Sequence, residues 1–243
     1  MPGGGRRTRG RADVAALRDR ADGRDHRPDR TRIRRGGIAM GAELLTTTRS
    51  FRRRLDLTRP VSRQDLLACL DIAVCAPSGS NRQPWRFLVI QDAELRQRIA
   101  EYYRKSFTAL LSARSPRPDQ LGDIASGQYL ADHFHEVPAL VLVCAPGRPP
   151  ADGSALRLAS FYGSVYPMVW NFLLALHDRG LGGTMTTAHL AFEREIAELL
   201  GIPFDEVTQV ALVPVAHLRP GAERPGPRVP AAEVTNWDRW SAT

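Results

Sequence analysis

The sequence predicts an α+β domain over residues 41–243, preceded by an arginine- and glycine-rich tail over residues 1–40. Three observations carry that reading. Helical and strand-like hydrophobic patterns interleave along the domain, which calls for helices packed on a sheet. The strand candidates are separated by long, uneven stretches, against a regular doubly wound sheet. From Arg219 onward the chain is proline-rich and reads as an extended arm rather than a packed helix.

The tail comes first. The 243 residues carry a formal charge of +8, but residues 1–40 hold twelve Arg and five Asp, leaving only +1 for the other 203. The basic character therefore belongs to the tail and not to the folded domain. A tail so poor in aromatic and branched residues cannot bury enough apolar surface to offset its ordering entropy, so disorder is expected there. An arginine arm for nucleic acid is the competing reading. Five interrupting Asp and the lack of a stacking aromatic argue against it, and no nucleic-acid partner is expected. Met40 reads as the functional start. No run of about eighteen apolar residues exists, so no membrane span is expected. Nor does the N-terminus carry the apolar stretch of a secretory signal. Cys69, Cys75 and Cys144 form no CxxC pair and read as small core hydrophobes in a reducing cytoplasm.

Each element of the domain has its own signal. Ser62 stands as the N-cap of a helix, with Asp65 three residues on and Val61 before it. Leu66, Leu67, Leu70, Ala73 and Val74 follow at helical spacing, and Pro77 stops the run. A polar turn, Ser78 to Gln83, leads into a buried strand, Trp85 to Ile90. Asp92 caps the next helix, whose apolar face is Leu95, Ile99, Tyr103 and Phe107. Ser115 to Gln128 is polar and punctuated, a mobile lid in expectation. Pro138 to Ala145 is a second strand. A helix from about Ser164 to Arg179, with Pro167 in its first turn, closes at Gly180. Residues 183–187 suggest a short strand, 191–200 a helix closed by Gly201, and 206–215 a third strand.

Common chemical signatures are absent. Gly180-Leu181-Gly182-Gly183 follows a helix, where a dinucleotide fingerprint requires a strand, and it lacks the third glycine. There is no Walker, HExxH or GxSxG sequence. His133, His135 and Glu136 read as scattered surface groups, and no metal is expected. Two other segments stand out. Arg49-Ser50-Phe51-Arg52-Arg53-Arg54 packs four guanidinium groups and a hydroxyl into six residues, a pattern suited to phosphate. Ala76-Pro77-Ser78-Gly79-Ser80-Asn81-Arg82-Gln83-Pro84-Trp85 sets hydrogen-bonding side chains on a turn between helix and strand.

Together these segments resemble the FMN-dependent nitroreductase family. Thr48-Arg49-Ser50-Phe51-Arg52 is similar to the family's opening Arg-Arg-Ser-x-Arg. Ala76, Pro77, Ser78, Asn81, Gln83, Pro84 and Trp85 match its A-P-S-x-x-N-x-Q-P-W block. Asn171, Leu173-Leu174-Ala175 and Gly180-Leu181-Gly182 resemble its Q-N-L-L-L-A…G-L-G helix and turn. Val213-Pro214-Val215, Arg228-Val229-Pro230 and Glu233-Val234 fit its close, so the resemblance spans Gly41 to Trp240. It implies a nitroreductase-like fold: a central mixed β-sheet flanked by helices, in an intertwined homodimer with an extended C-terminal arm.

The resemblance also implies a site. FMN would lie at the dimer interface, with Arg49, Ser50 and Arg228 at its phosphate end and Arg52 near the N1/C2-carbonyl edge. Pro77, Ser78, Gly79 and Asn81 would reach it from the partner subunit. Gly183, Thr184 and Met185 would face N5 and the C4 carbonyl, small residues admitting the ring and Thr184 serving as an N5 donor. NADH or NADPH would reduce the flavin, which would reduce a nitroaromatic, quinone or enone in turn. Two alternatives share the cofactor. One is a dehydrogenase or oxidase tailoring a natural product; the other is a deiodinase-like reductive dehalogenase. The hydroxyls around residue 184 favour the latter. Its Glu–Tyr–Lys substrate grip is incomplete here, since no lysine follows Lys105. Two departures from the family pattern stand out: Thr48 replaces the first arginine, and Trp170 replaces the frequent Gln.

Overall fold

A computed structural model describes residues 39–113, 115–221 and 225–241. The tail expectation, through residue 38, lies outside the described residues. The compact unit that carries the sheet begins at Met40.

Five strands form one sheet: β1 (Leu55–Asp56), β2 (Arg86–Ile90), β3 (Ala139–Pro146), β4 (Leu181–Gly183) and β5 (Val207–Leu218). Their order is β1-β5-β3-β2, with β4 also pairing with β5. Every ladder is antiparallel, where a mixed sheet was expected; only an isolated bridge, Gly147–Val207, is parallel. The reason lies in the connections. Helix α3 (Ala93–Ser112) leaves β2 and α4 (Leu121–His133) returns, so the chain re-enters the sheet at the end it left. The α+β class stands.

The sheet is covered on both faces, which explains why β3 and β5 read as continuous apolar runs. On one face lie α2 (Arg63–Ala73) and α6 (Tyr166–Asp178), packing Leu66, Leu70, Met168, Phe172 and Leu176 against Val141, Val143 and Val213. On the other, α3 and α4 pack Ile99, Tyr103, Leu130 and Phe134 against Leu140, Leu142 and Leu212.

The caps follow the sequence. The Ser62 hydroxyl accepts from Asp65 N at 3.0 Å and donates to the Asp65 carboxylate at 2.7 Å, and Asp92 accepts from Leu95 N at 2.9 Å. Pro167 sits in the first turn of α6. Gly180 (φ 70°) and Gly201 (φ 66°) take the left-handed conformation that ends α6 and α7 (Glu193–Leu200).

Several expectations are corrected. Strand β2 is not a buried strand: it lies at the sheet edge, and only Ile90 within it is buried. The short strand expected at 183–187 is Leu181–Gly183, with Thr186 bridging to Leu212 beyond it. Much of the expected lid is helical, despite two glycines in α4. Gly127 packs so tightly that an added Cβ would lie 2.7 Å from Phe107 Cζ, so helix contact replaces helix propensity there. Helices α1 (Ala39–Thr47) and α5 (Ala155–Gly163) and strand β1 carried no signal strong enough to read. Cys69 and Cys144 are buried, their thiols pushed up to about 11 and about 12 by burial, but Cys75 is exposed because it follows the end of α2.

Candidate functional site

The arginine run Arg49–Arg54 is the irregular segment that connects α1 to β1. Phe51 anchors it: the side chain is buried, and its backbone N–H donates to Gly183 O at 3.0 Å. With Phe51 turned inward, the flanking residues turn outward. Arg49 and Ser50 are exposed and Arg52 half-buried, and none of their side chains has a hydrogen-bond or ion-pair partner among the described residues. Residues 49–54, with Asp123 and Ser126 of α4, line a cavity of about 240 Å³.

Not every member of the run serves that cavity alike. Arg54 Nη2 donates to Arg219 O at 2.9 Å, while Arg219 N donates to Arg54 O at 2.8 Å, fixing where the C-terminal segment leaves β5. Thr48 is buried; its hydroxyl lies 2.7 Å from Leu44 O and 2.7 Å from His177 Nδ1. Where the family pattern has an arginine, this chain has a buried hydrogen-bonding group turned into the fold.

A second cavity, of about 640 Å³, lies against the first. Arg52 and Asp123 line both. Its wall comes from the C-terminal half of α3 (Tyr103, Phe107, Leu110, Leu111), from Pro116, Gln120, Ile124 and Gly127, and from Met185, Thr186, Thr187 and Ala188. Most of that wall is apolar. Burial pushes the Tyr103 phenol up to about 12, against the opposing pull of Arg52 and the Thr186 hydroxyl.

Beside this wall sits Thr184. It is fully buried, and its hydroxyl has no hydrogen-bond partner among the described residues. An unpaired buried hydroxyl costs about 1–3 kcal/mol. Gly182 and Gly183 are required by packing: a Cβ on Gly182 would run into Leu218 Cδ2, and one on Gly183 would fall 2.8 Å from Pro214 O. Their lack of side chains lets β4 pack within the sheet.

The Ala76–Trp85 turn is separate from both cavities in the single chain. Its backbone is strained: Ser80, Asn81 and Gln83 have φ of 52°, 50° and 48°. Internal bonds hold it, with Gln83 N donating to Ser78 Oγ and Gly79 N donating to Ser164 Oγ, both at 3.0 Å. Pro77, Gly79 and Asn81 are exposed. Arg228 is also apart: exposed, with its guanidinium donating to its own neighbour, Pro227 O, at 2.7 Å. The structure thus brings together Arg49, Ser50 and Arg52, places Thr184 and Met185 beside them, and leaves Pro77, Ser78, Gly79, Asn81 and Arg228 elsewhere.

Sequence reasoning missed the cavity wall. Tyr103 and Phe107 were legible as one apolar helix face, and a phenol on such a face was the available signal. Asp123 carried none. No group of residues that could hold a metal occurs among the described residues, and none of their helices is long and apolar enough to cross a membrane.

Comparison with known proteins agrees with this fold. The sequence profile described as the Nitroreductase family matches residues 45–217. The chain is 29% identical over 171 residues to an iodotyrosine deiodinase of Thermotoga neapolitana, spanning 70% of this chain and 83% of that one. It is 33% identical over 81 residues to an oxygen-insensitive NADPH nitroreductase of Helicobacter pylori, spanning 31% of this chain and 38% of that one. Among solved structures it resembles oxidised iodotyrosine deiodinase bound to FMN and 3-iodo-L-tyrosine. That likeness has a TM-score of 0.65 and 26% identity, covering 82% of this chain and 99% of that one.

Proposed function

The chain belongs to the nitroreductase family, and from that premise we propose that it is an FMN-dependent oxidoreductase that moves a hydride equivalent from NADH or NADPH to a small acceptor. One observation carries the reading. Arg52 lines both cavities, so an anion held among Arg49, Ser50 and Arg52 sets the group it carries against the larger, apolar cavity. A phosphate joined to a flat ring has that form. The unpartnered Thr184 hydroxyl supplies the second fit, since a ring nitrogen beside it would complete its hydrogen bonding.

When bound, FMN supplies a ring that takes up and gives back a hydride equivalent. The chain does the rest. Arg49 and Ser50 hold the phosphate, and Arg228 joins them from the C-terminal segment. Arg52 would set its positive charge beside the ring, where it would favour uptake of electrons. Thr184 would hold the ring through its hydroxyl, with Gly183 and Met185 beside it. The apolar wall from Phe107 to Ile124 excludes water from the face where donor and acceptor alternate. Pro77, Ser78, Gly79 and Asn81 complete the site from a second copy of the chain, so the working species is a homodimer with FMN at its interface. A nitroaromatic, quinone or enone suits the open cavity.

The test is flavin titration of the apoprotein. One FMN per chain should bind, and an Arg52→Ala/Arg228→Ala double variant should lose at least tenfold in affinity. Wild-type affinity in that variant would contradict the assignment. A second reading, reductive dehalogenation of a halogenated phenol, is favoured by the deiodinase relatives together with the Thr184 hydroxyl. Loss of iodide from 3-iodotyrosine under a chemical reductant, faster than nitroaromatic turnover with NAD(P)H, would select it.

A further inference from the structure

One residue of the larger cavity unites deep burial with a polar tip. Tyr103 is 3% exposed and lines the cavity from α3. Its ring is stacked between Phe134, at 4.2 Å between centroids, and Phe107, at 6.1 Å. A ring so clamped keeps its place in the cavity wall, which Arg52 and Thr186 also line. Burial keeps the phenol in its protonated form. The cavity wall therefore holds a neutral acid beside a guanidinium.

We propose that Tyr103 is a catalytic residue, the proton donor to an acceptor bound in this cavity, and that the site suits acceptors whose reduction builds negative charge on oxygen, namely quinones and conjugated carbonyls. The inference rests on the FMN reading and deepens it by naming the acceptor class. Reduction of such a molecule delivers two electrons and one proton together, as a hydride equivalent from the reduced flavin. The product is left one proton short, with its charge on oxygen. An oxyanion accepts a hydrogen bond strongly, so the phenol proton turns to the product. The Tyr103 O–H bond breaks, an O–H bond forms on the product, and the phenolate is balanced by Arg52. Water entering the open cavity then returns a proton to the phenolate. Neither Phe107, Leu110, Leu111 nor Ile124 could take this part.

The experiment uses the full chain loaded with FMN and needs no turnover for its first arm. In the absence of reductant, 4-nitrophenolate is titrated by its visible absorbance at a pH where the probe is ionised. Wild-type protein should bind the anion, and Tyr103→Phe should weaken binding by about tenfold or more. In the second arm, the flavin of Tyr103→Phe is reduced beforehand with dithionite. Its reoxidation by a quinone should slow, with loss of the solvent isotope effect. Unchanged probe affinity and reoxidation in a folded, FMN-loaded Tyr103→Phe protein would overturn the inference while leaving the FMN reading intact. Wild-type protein that takes up no FMN would overturn both. Should Tyr103→Phe fail to fold, replacement of Tyr103 by 3-fluorotyrosine decides: the more acidic phenol is the stronger donor and should tighten probe binding several-fold. No tightening there would overturn the proposal.

Discussion

The Thr184 hydroxyl, buried and without a partner among the described residues, has a cost that the proposed flavin contact would relieve. Thr184→Val keeps the shape and deletes the orphaned oxygen, so its two effects should have opposite signs. Thermal melts of the apoprotein should show stabilisation by about 1 kcal/mol, while flavin titration shows weaker binding. A variant that gains stability and keeps full affinity would mean that the hydroxyl does not meet the flavin. Arg49, Ser50 and Arg52 were legible in the sequence because six residues with four guanidinium groups have few structural uses on an irregular segment. Arg54 shows the limit of that argument: the same motif gave no way to tell it apart, yet it is bound to the carbonyl of Arg219, 165 residues away. The hydroxyl run near residue 184 was readable as chemistry. Which hydroxyl is buried and unpaired depends on the pairing of β4 with β5, and local spacing cannot supply that.

Elements with their own caps were the readable ones. Helices α2, α3, α6 and α7 announce themselves through Ser62, Asp92, Pro167, Gly180 and Gly201, and the strands β3 and β5 through runs buried on both faces. Helix α4 was not, because contact with Phe107, not propensity, holds it, and β4 was misplaced because its glycines are chosen by the neighbouring strand. Gly183→Ala puts a Cβ 2.8 Å from Pro214 O, so urea unfolding should show a loss of about 1–3 kcal/mol; a neutral result would mean that β4 can shift without cost. The turn after the cavity wall carries a different liability. His189 is fully buried with both ring nitrogens unpartnered among the described residues, and burial lowers its pKa from 6.5 to about 4, with Glu193 opposing. The unfolded chain takes up this proton in that window and the folded chain does not. The contribution of His189 to stability is therefore full above about pH 6.5 and is lost as the pH falls toward about 4. His189→Leu should flatten the corresponding slope of stability against pH, and an undiminished slope would place the titration elsewhere.

At the scale of the whole molecule, the single chain presents two parts of the proposed site that do not meet. The strained Ala76–Trp85 turn exposes Pro77, Gly79 and Asn81 away from the arginine cavity, and the C-terminal segment exposes Trp237 and Trp240, at 84% and 89%. Large aromatics so exposed favour association. A second copy that supplied the turn and received the arm would resolve both features. Ending the chain at Arg219 should accordingly yield a monomer in sedimentation, with impaired flavin retention; a flavin-loaded dimer of the shortened chain would remove the arm from the account. All of these proposals stand on one cofactor and one reductive half-reaction. The most direct measurement is the visible spectrum of the purified protein, before and after anaerobic addition of NADH or NADPH. A yellow protein that bleaches is the predicted result. Colourless protein that also fails to take up added FMN would contradict the central claim.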